Sequence, residues 1–319
     1  MQRSIKSFFV IVICLITSLS ALSAGRIVVA QDGSGDFTTV QQAFNSIGDF
    51  SNDVTVVFIK KGTYREKLVL PKSKQHVHLV GENVETTKLT FADFASKKDS
   101  AGKELGTART ASVYIYGADF SAENITFENA AGPVGQALAV WAGSDRSVFV
   151  NCRFLGFQDT IYTDYRSRQY YKNCYIEGTT DFIFGPATAV FENCEIFCKK
   201  GGSYITAAST PDSVAFGYVF INCRLTGDAP VASFYLGRPW RPFAKVVFMK
   251  CTLGPQIRPE GWNNWGKESN EKTAYYAEYK NKGASNPSAR VPWSHQLTDA
   301  EAKQYTLSNI FNGWTPKVR

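Results

Sequence analysis

Two stretches of the chain carry the same acid in the same setting. C-R-F-L-G-F-Q-D-T-I-Y, from Cys152, and C-Y-I-E-G-T-T-D-F-I-F, from Cys174, share the pattern C-x-x-x-G-x-x-D-x-I-aromatic, and each puts an aspartate, Asp159 or Asp181, seven residues after the cysteine. Asp181 lies in a run that otherwise reads as a buried strand, with no cation within four residues. A buried unpaired carboxylate costs several kcal/mol, so the fold must supply its partner. Two such acids about 5 Å apart in a partly dry groove cannot both ionise cheaply, so one pKa is expected to rise and the other to stay low. That split makes a proton donor and a nucleophile or base from identical side chains. The cation expected to hold the low-pKa member is Arg238 in Y-L-G-R-P-W-R-P, whose guanidinium can grip a carboxylate through two hydrogen bonds, with Arg241 as the alternative. Gln136 and Gln158, near these acids, favour a site over turn caps or an outward ladder with Thr160 and Thr180.

The elements that must position these groups repeat along the chain. S-V-F-V-N-C-R-F ends on the motif of Cys152, and related phrases surround Cys174, Cys194, Cys223 and Cys251, with Ile125 in the same slot of an earlier copy. The intervals from Ile125 are 27, 22, 20, 29 and 28 residues, a period that points to a solenoid of short strands. Helices are expected only at the ends, near Val40 to Ile47 and Thr298 to Tyr305. The predicted fold is all-β, a right-handed parallel β-helix with short terminal helices. Equivalent residues of adjacent coils then sit about 4.8 Å apart, which brings Asp159 and Asp181 together on one strand face and lines the cysteines up as an inward column. Small buried thiols are the expectation; if one bridge forms, Cys174 to Cys194 is the candidate, because that interval is the shortest.

The chain has 319 residues, a size compatible with one β-rich domain. Arg3 and Lys6 precede an apolar run from Phe8 to Leu19, followed by small residues through Ala24, so residues 1–24 read as a secretory signal and 25–319 as a single exported catalytic domain. The apolar core is short for a bilayer span of about 20 residues, and no membrane attachment is expected after cleavage. Without Arg3 and Lys6 the chain holds 33 basic and 28 acidic residues, a balance of +5. No basic run or helix stands out, so nucleic acid is a poorer partner than an acidic polymer. The cysteines lack C-x-x-C or histidine company, and no metal site or cofactor is expected.

From these residues the sequence resembles the pectin methylesterases, or pectinesterases, carbohydrate esterases that demethylate pectin. The family's segments occur in order: G-T-Y-R-E-K at 62–67, I-T-F-E-N-A-A-G-P-V-G-Q-A at 125–137, G-F-Q-D-T-I-Y at 156–162, G-T-T-D-F-I-F-G at 178–185 and L-G-R-P-W at 236–240. The resemblance runs from about Gly25 to the C-terminus. No inhibitor-like pro-region is expected, since R-I-V-V-A follows the signal directly. The resemblance implies that Asp181 attacks the C6 methyl ester of a galacturonosyl residue in homogalacturonan. Asp159 would protonate the departing methanol and then activate water against the acyl-enzyme. Gln136 and Gln158 would donate to the oxyanion, and Arg238 would hold Asp181 ionised. Acyl transfer needs this set: a nucleophile, a proton donor at the leaving oxygen and an oxyanion clamp. The resemblance also assigns Tyr162, Phe184 and Trp240 to the substrate groove. Thr107, in T-A-R-T-A-S, matches a threonine near the substrate, although the residues around it depart from the familiar pattern. Phe157, Tyr165 and Trp265 are further aromatic candidates. A monomer is expected.

Two rivals keep the fold. Paired carboxylates at about 5 Å also suit a retaining glycoside hydrolase, and other β-helix enzymes cut polygalacturonate by hydrolysis or elimination, although no acidic cluster suited to calcium is evident. A non-catalytic polysaccharide binder is the second. Other motifs have plain readings. His76 and His78 alternate and are expected as exposed strand residues. Asn124-Ile-Thr is a glycosylation sequon inside a coil. D-G-S-G-D-F reads as a turn and helix cap, without the lysine of a P-loop, and no G-x-S-x-G elbow supports a serine esterase.

Overall fold

A computed structural model describes residues 25–318; the signal-peptide reading falls on residues outside this range. Among the described residues successive coils build three parallel sheets, of 11, nine and seven strands, and the central coils contribute one strand to each. The coil carrying Asp181 is representative: Arg168–Lys172 lies in the 11-stranded sheet, Tyr175–Gly178 in the nine-stranded and Thr180–Gly185 in the seven-stranded. Stacked coils pair strand on strand in register, for example Tyr171 with Phe149 behind it and Phe191 ahead. This is the expected parallel β-helix.

The repeated phrase encodes the corner between the first two sheets. Asn124, Asn151, Asn173, Asn193 and Asn222, each just before the cysteine slot, have φ between 49° and 57°, the left-handed region that asparagine tolerates better than most side chains. At the start of the column Asn151 Nδ2 donates to Asn124 Oδ1 at 2.6 Å. The sequon asparagine is therefore tied to its counterpart in the next coil. The cysteine that follows turns inward. All six described cysteines are buried and unbridged, Cys174 and Cys194 included, and the thiols of the five in the repeated phrase donate to backbone carbonyls, as Cys174 Sγ does to Lys172 O at 3.4 Å.

Three residues before the cysteine slot, the phrase supplies an aromatic. Phe149, Tyr171, Phe191, Phe220 and Phe248 stack in sequence, with centroids 4.8, 4.6, 4.5 and 4.2 Å apart and planes within 12°. All five are fully buried. Burying each ring contributes about 1.5–3 kcal/mol, and ring pairing adds about 0.5–1.5 kcal/mol per contact.

Both ends are closed. Helix Val40–Ser46, N-capped by Thr39, seats Val40, Ala43 and Phe44 on the first coils. The D-G-S-G-D-F segment supplies the preceding turn but not the cap. At the other end a capping box at Thr298 starts a helix of only Asp299–Ala302, shorter than expected, and a second helix follows at Leu307–Ile310. These pack Leu297, Ile310 and Phe311 over the outer face of the 11-stranded sheet. The expectation of exposed histidines fails for His78. It is 7% exposed, with Nδ1 2.6 Å from Ser121 Oγ and Nε2 3.2 Å from Glu123. His76 sits off the strand with φ 54°, 3.7 Å from Asp119. No group of three or more potential metal ligands occurs among the described residues.

Candidate active site

The seven-stranded sheet brings the two acids together. Ile161 pairs with Ile183 and Tyr162 with Phe184, so Asp159 and Asp181 occupy equivalent places in adjacent coils, tied by Asp159 N–H donating to Thr180 O at 3.1 Å. Neither acid sits on plain strand backbone. Asp159 has φ 65° and Asp181 φ 51°, and the pairing of Thr180–Gly185 with Tyr204–Ala208 slips between Thr180 and Ile183. Such a bulge re-aims a side chain that regular pleating would send elsewhere. Gly178 makes room for it: a Cβ there would lie 2.2 Å from Phe182 Cβ and 2.6 Å from Phe157 O.

Both carboxyls face a cavity of about 340 Å³. Gln136 and Gln158 line it from the same side, held by a parallel bridge between them and by Ala137 N–H donating to Gln158 O at 3.1 Å. Arg238 enters from two coils beyond Asp181. Its Nε donates to Asp181 Oδ1 at 3.0 Å and its Nη2 to Asp181 Oδ2 at 2.7 Å, the two-point grip expected from the sequence. Close packing of Gly237 on Thr206 sets its backbone, since a Cβ would fall 2.0 Å from Thr206 Oγ1. Arg241 is not the partner: it is exposed, stacks on Trp240 at 4.7 Å and donates to the Trp240 carbonyl.

The electrostatics depart from expectation in one respect. Burial and then the neighbouring charge of Asp181 push Asp159 well above the usual carboxylate range, against a smaller opposing pull from Arg238. Asp181 is also raised, because burial outweighs the hydrogen bonds and charge of Arg238. It was expected to stay low. The order survives, because only Asp181 has the cation hydrogen-bonded to it; as pH rises it ionises first, and its charge then holds the proton on Asp159.

Of the residues assigned to the substrate groove, Thr107, Phe184 and Trp240 line the cavity, Thr107 from the short helix Thr107–Arg109. Tyr162 does not. It flanks the site one coil earlier, its ring 5.0 Å from Phe184 and 4.3 Å from Trp141. Of the further aromatics, Trp265 lines the cavity, whereas Phe157 lies under the Lys199 ammonium at 3.6 Å and Tyr165 is 49% exposed beside Arg166. Sequence reasoning missed Ala207, which forms part of the wall, and Trp141 and Tyr204 behind it. The alternation of Tyr204–Ala208 was the available signal for Tyr204, but the register slip at Asp181 hides which residues it faces.

A proton-holding carboxyl, a guanidinium-bound carboxylate and two amides around one cavity define a hydrolytic site built on paired acids in a β-helix. The pectinesterase family model matches residues 26–314. Pectinesterase 31 of Arabidopsis thaliana is 45% identical over 284 residues, covering 87% of this chain and 89% of that protein. The pectin methylesterase from carrot superposes with a TM-score of 0.83 at 36% identity, over 92% of this chain and 95% of that one. A pectin methylesterase mutant in complex with a hexasaccharide gives 0.79 at 28% identity, over 92% and 98%. The chain also spans about half the length of several relatives named pectinesterase/pectinesterase inhibitor. It belongs to the pectinesterase family, and is thus a carboxylic ester hydrolase.

Proposed function

We propose that the protein is a secreted pectin methylesterase that hydrolyses the C6 methyl esters of homogalacturonan through an acyl-enzyme on Asp181. The observation that carries this reading is the asymmetry of the acid pair: Arg238 binds Asp181 at two points, and Asp159 has no such partner. In the first half, an Asp181 oxygen bonds to the ester carbonyl carbon, and the amide N–H groups of Gln136 and Gln158 stabilise the oxyanion. The intermediate collapses by breaking the bond to the methoxy oxygen, which takes the proton of Asp159 and leaves as methanol. In the second half, Asp159, now ionised, takes a proton from water as the water oxygen bonds to the acyl carbon. Collapse breaks the bond to Asp181 and frees galacturonic acid, which keeps the second water proton and loses it to solvent, leaving Asp181 ionised and Asp159 protonated as at the start. Every step is proton transfer or acyl transfer between groups already facing the cavity.

Thr107, Phe184 and Trp240 would shape the walls that hold the sugar, with Tyr162 supporting Phe184 from behind. Export follows from the basic and apolar pattern of residues 1–24, with a mature chain beginning at Gly25; N-terminal sequencing of the exported protein tests that part.

The reaction is tested with highly methylated pectin. Methanol release at constant polymer length is expected from the wild type, and none above background from Asp181→Ala. Polymer shortening, or unsaturated ends absorbing in the ultraviolet, would assign the site to backbone cleavage; binding without turnover would make it a polysaccharide binder.

A further inference from the structure

Arg238 is held on its faces as well as its edges. Its guanidinium carbon lies 3.8 Å from the ring centroid of Trp265 and 3.8 Å from that of Tyr204. Rings this close to one planar carbon have room only on opposite faces, so the cation is sandwiched, with only its rim free to donate. The stack continues beyond it: Tyr204 lies 5.4 Å from Tyr235 with planes 10° apart, and Arg258 covers Tyr235 at 4.8 Å. Strand pairing fixes this arrangement, because Tyr204 and Tyr235 are register partners and Arg238 follows Tyr235 by three residues. Trp265 lines the cavity and Tyr204 does not. Tyr204 therefore touches the arginine from the side away from the reacting atoms.

We propose that Tyr204 is a positioning residue for the hydrolysis: its ring holds the Arg238 guanidinium in the plane from which Nε and Nη2 both reach Asp181, and keeps water off that ion pair. This rests on the reading of Asp181 as nucleophile. The charged and titratable groups facing Asp181 are Asp159 from the preceding coil, Arg238 from two coils on and the buried phenol of Tyr276 beneath. Of these, only Arg238 favours the ionised carboxyl. A cation stacked on aromatic faces keeps its charge unhydrated and fixed in orientation, which strengthens its hold on a carboxylate. Without the Tyr204 ring, the guanidinium can tilt and hydrate, and Asp181 must titrate at higher pH.

The test compares the wild type with Tyr204→Ala, Tyr204→Leu and Tyr204→Phe in the full mature chain. Asp181 is followed by carbon-13 NMR of labelled aspartate carboxyls, assigned with Asp181→Asn and Asp159→Asn. The acid limb of kcat/KM for methanol release is measured alongside, and circular dichroism confirms folding. In Tyr204→Ala and in Tyr204→Leu, which keeps bulk without a ring face, Asp181 is expected to titrate at least about 0.5 pH units higher. The acid limb should move with it, kcat should fall about tenfold and KM should stay within about twofold. Tyr204→Phe should match the wild type. An unchanged Asp181 titration in the Ala and Leu variants overturns the proposal, and so does a Phe variant that behaves like Ala. A wild type that releases no methanol overturns the proposed reaction instead, and the NMR comparison still decides the role of Tyr204.

Discussion

At the scale of single residues, what touches Asp159 and Asp181 decides their ionisation. In the proposed mechanism turnover needs Asp181 ionised and Asp159 protonated, so kcat/KM should rise with pH through the pKa of Asp181 and fall through the higher pKa of Asp159. Asp159→Asn should remove the falling limb along with most of the activity. The same shift predicts a stability effect of definite sign. An acid whose pKa is raised by folding favours the folded state below its unfolded pKa, and that advantage is lost as pH rises through the folded value. Asp159→Asn should therefore melt at a higher temperature than the wild type at pH 7, with the gain shrinking towards pH 4; a lower melting temperature at pH 7 would contradict the burial of an uncompensated acid. The acid pair and Arg238 were legible because matched spacing after two cysteines needs only a solenoid register. The raised pKa of Asp181 was not, because sequence reveals a cation but not how deeply both partners are buried.

At the scale of elements, the repeated phrase places an inward aromatic, a left-handed asparagine and an inward cysteine in the four corners that end on Cys152, Cys174, Cys194 and Cys223. These positions fix the rise of each coil, and so the distance between the acids. Phe220 sits between Phe191 and Phe248 in the ring stack; Phe220→Ala should cost about 3–5 kcal/mol, read as a lowered thermal or urea midpoint, and a loss under about 1 kcal/mol would show that the stack carries little of the stability. The six buried thiols should react with a thiol reagent only after denaturation, without reductant; fewer than six in the unfolded mature protein would mean a bridge. The coil period and the cysteine column were readable because they repeat. The slip between Thr180 and Ile183, which aims Asp181 and places Tyr204 behind Arg238, breaks the repeat and left no pattern in the sequence.

At the scale of the whole molecule, a stack of parallel coils has two open ends, and this chain closes both with irregular structure. At the C-terminal end the Arg290 guanidinium bonds to Glu278 at 2.6 Å, with the two side chains 2% and 1% exposed, and also donates to the carbonyls of Pro259 and Ala284. Removing one partner strands a buried charge, so Glu278→Ala should destabilise by about 3–5 kcal/mol, measured by thermal unfolding. That effect should be global, since the coil capped here stacks directly on the one that pairs with the coil carrying Arg238. This pair was not legible beforehand, because Glu278 sits on strand Tyr275–Tyr279 but Arg290 follows the irregular turn Pro287–Ala289, where no repeat sets which residues meet. The central claim is that the two acids of the stack divide the work, Asp181 bonding to the acyl group and Asp159 handling protons. It is tested most directly with an oligogalacturonide trifluoroethyl ester, whose alcohol departs without a proton donor. Asp159→Asn should release about one equivalent of alcohol per enzyme in a burst and then stall as acyl-enzyme, while Asp181→Asn releases none. Steady release without a burst from the first, or release by the second, would contradict it.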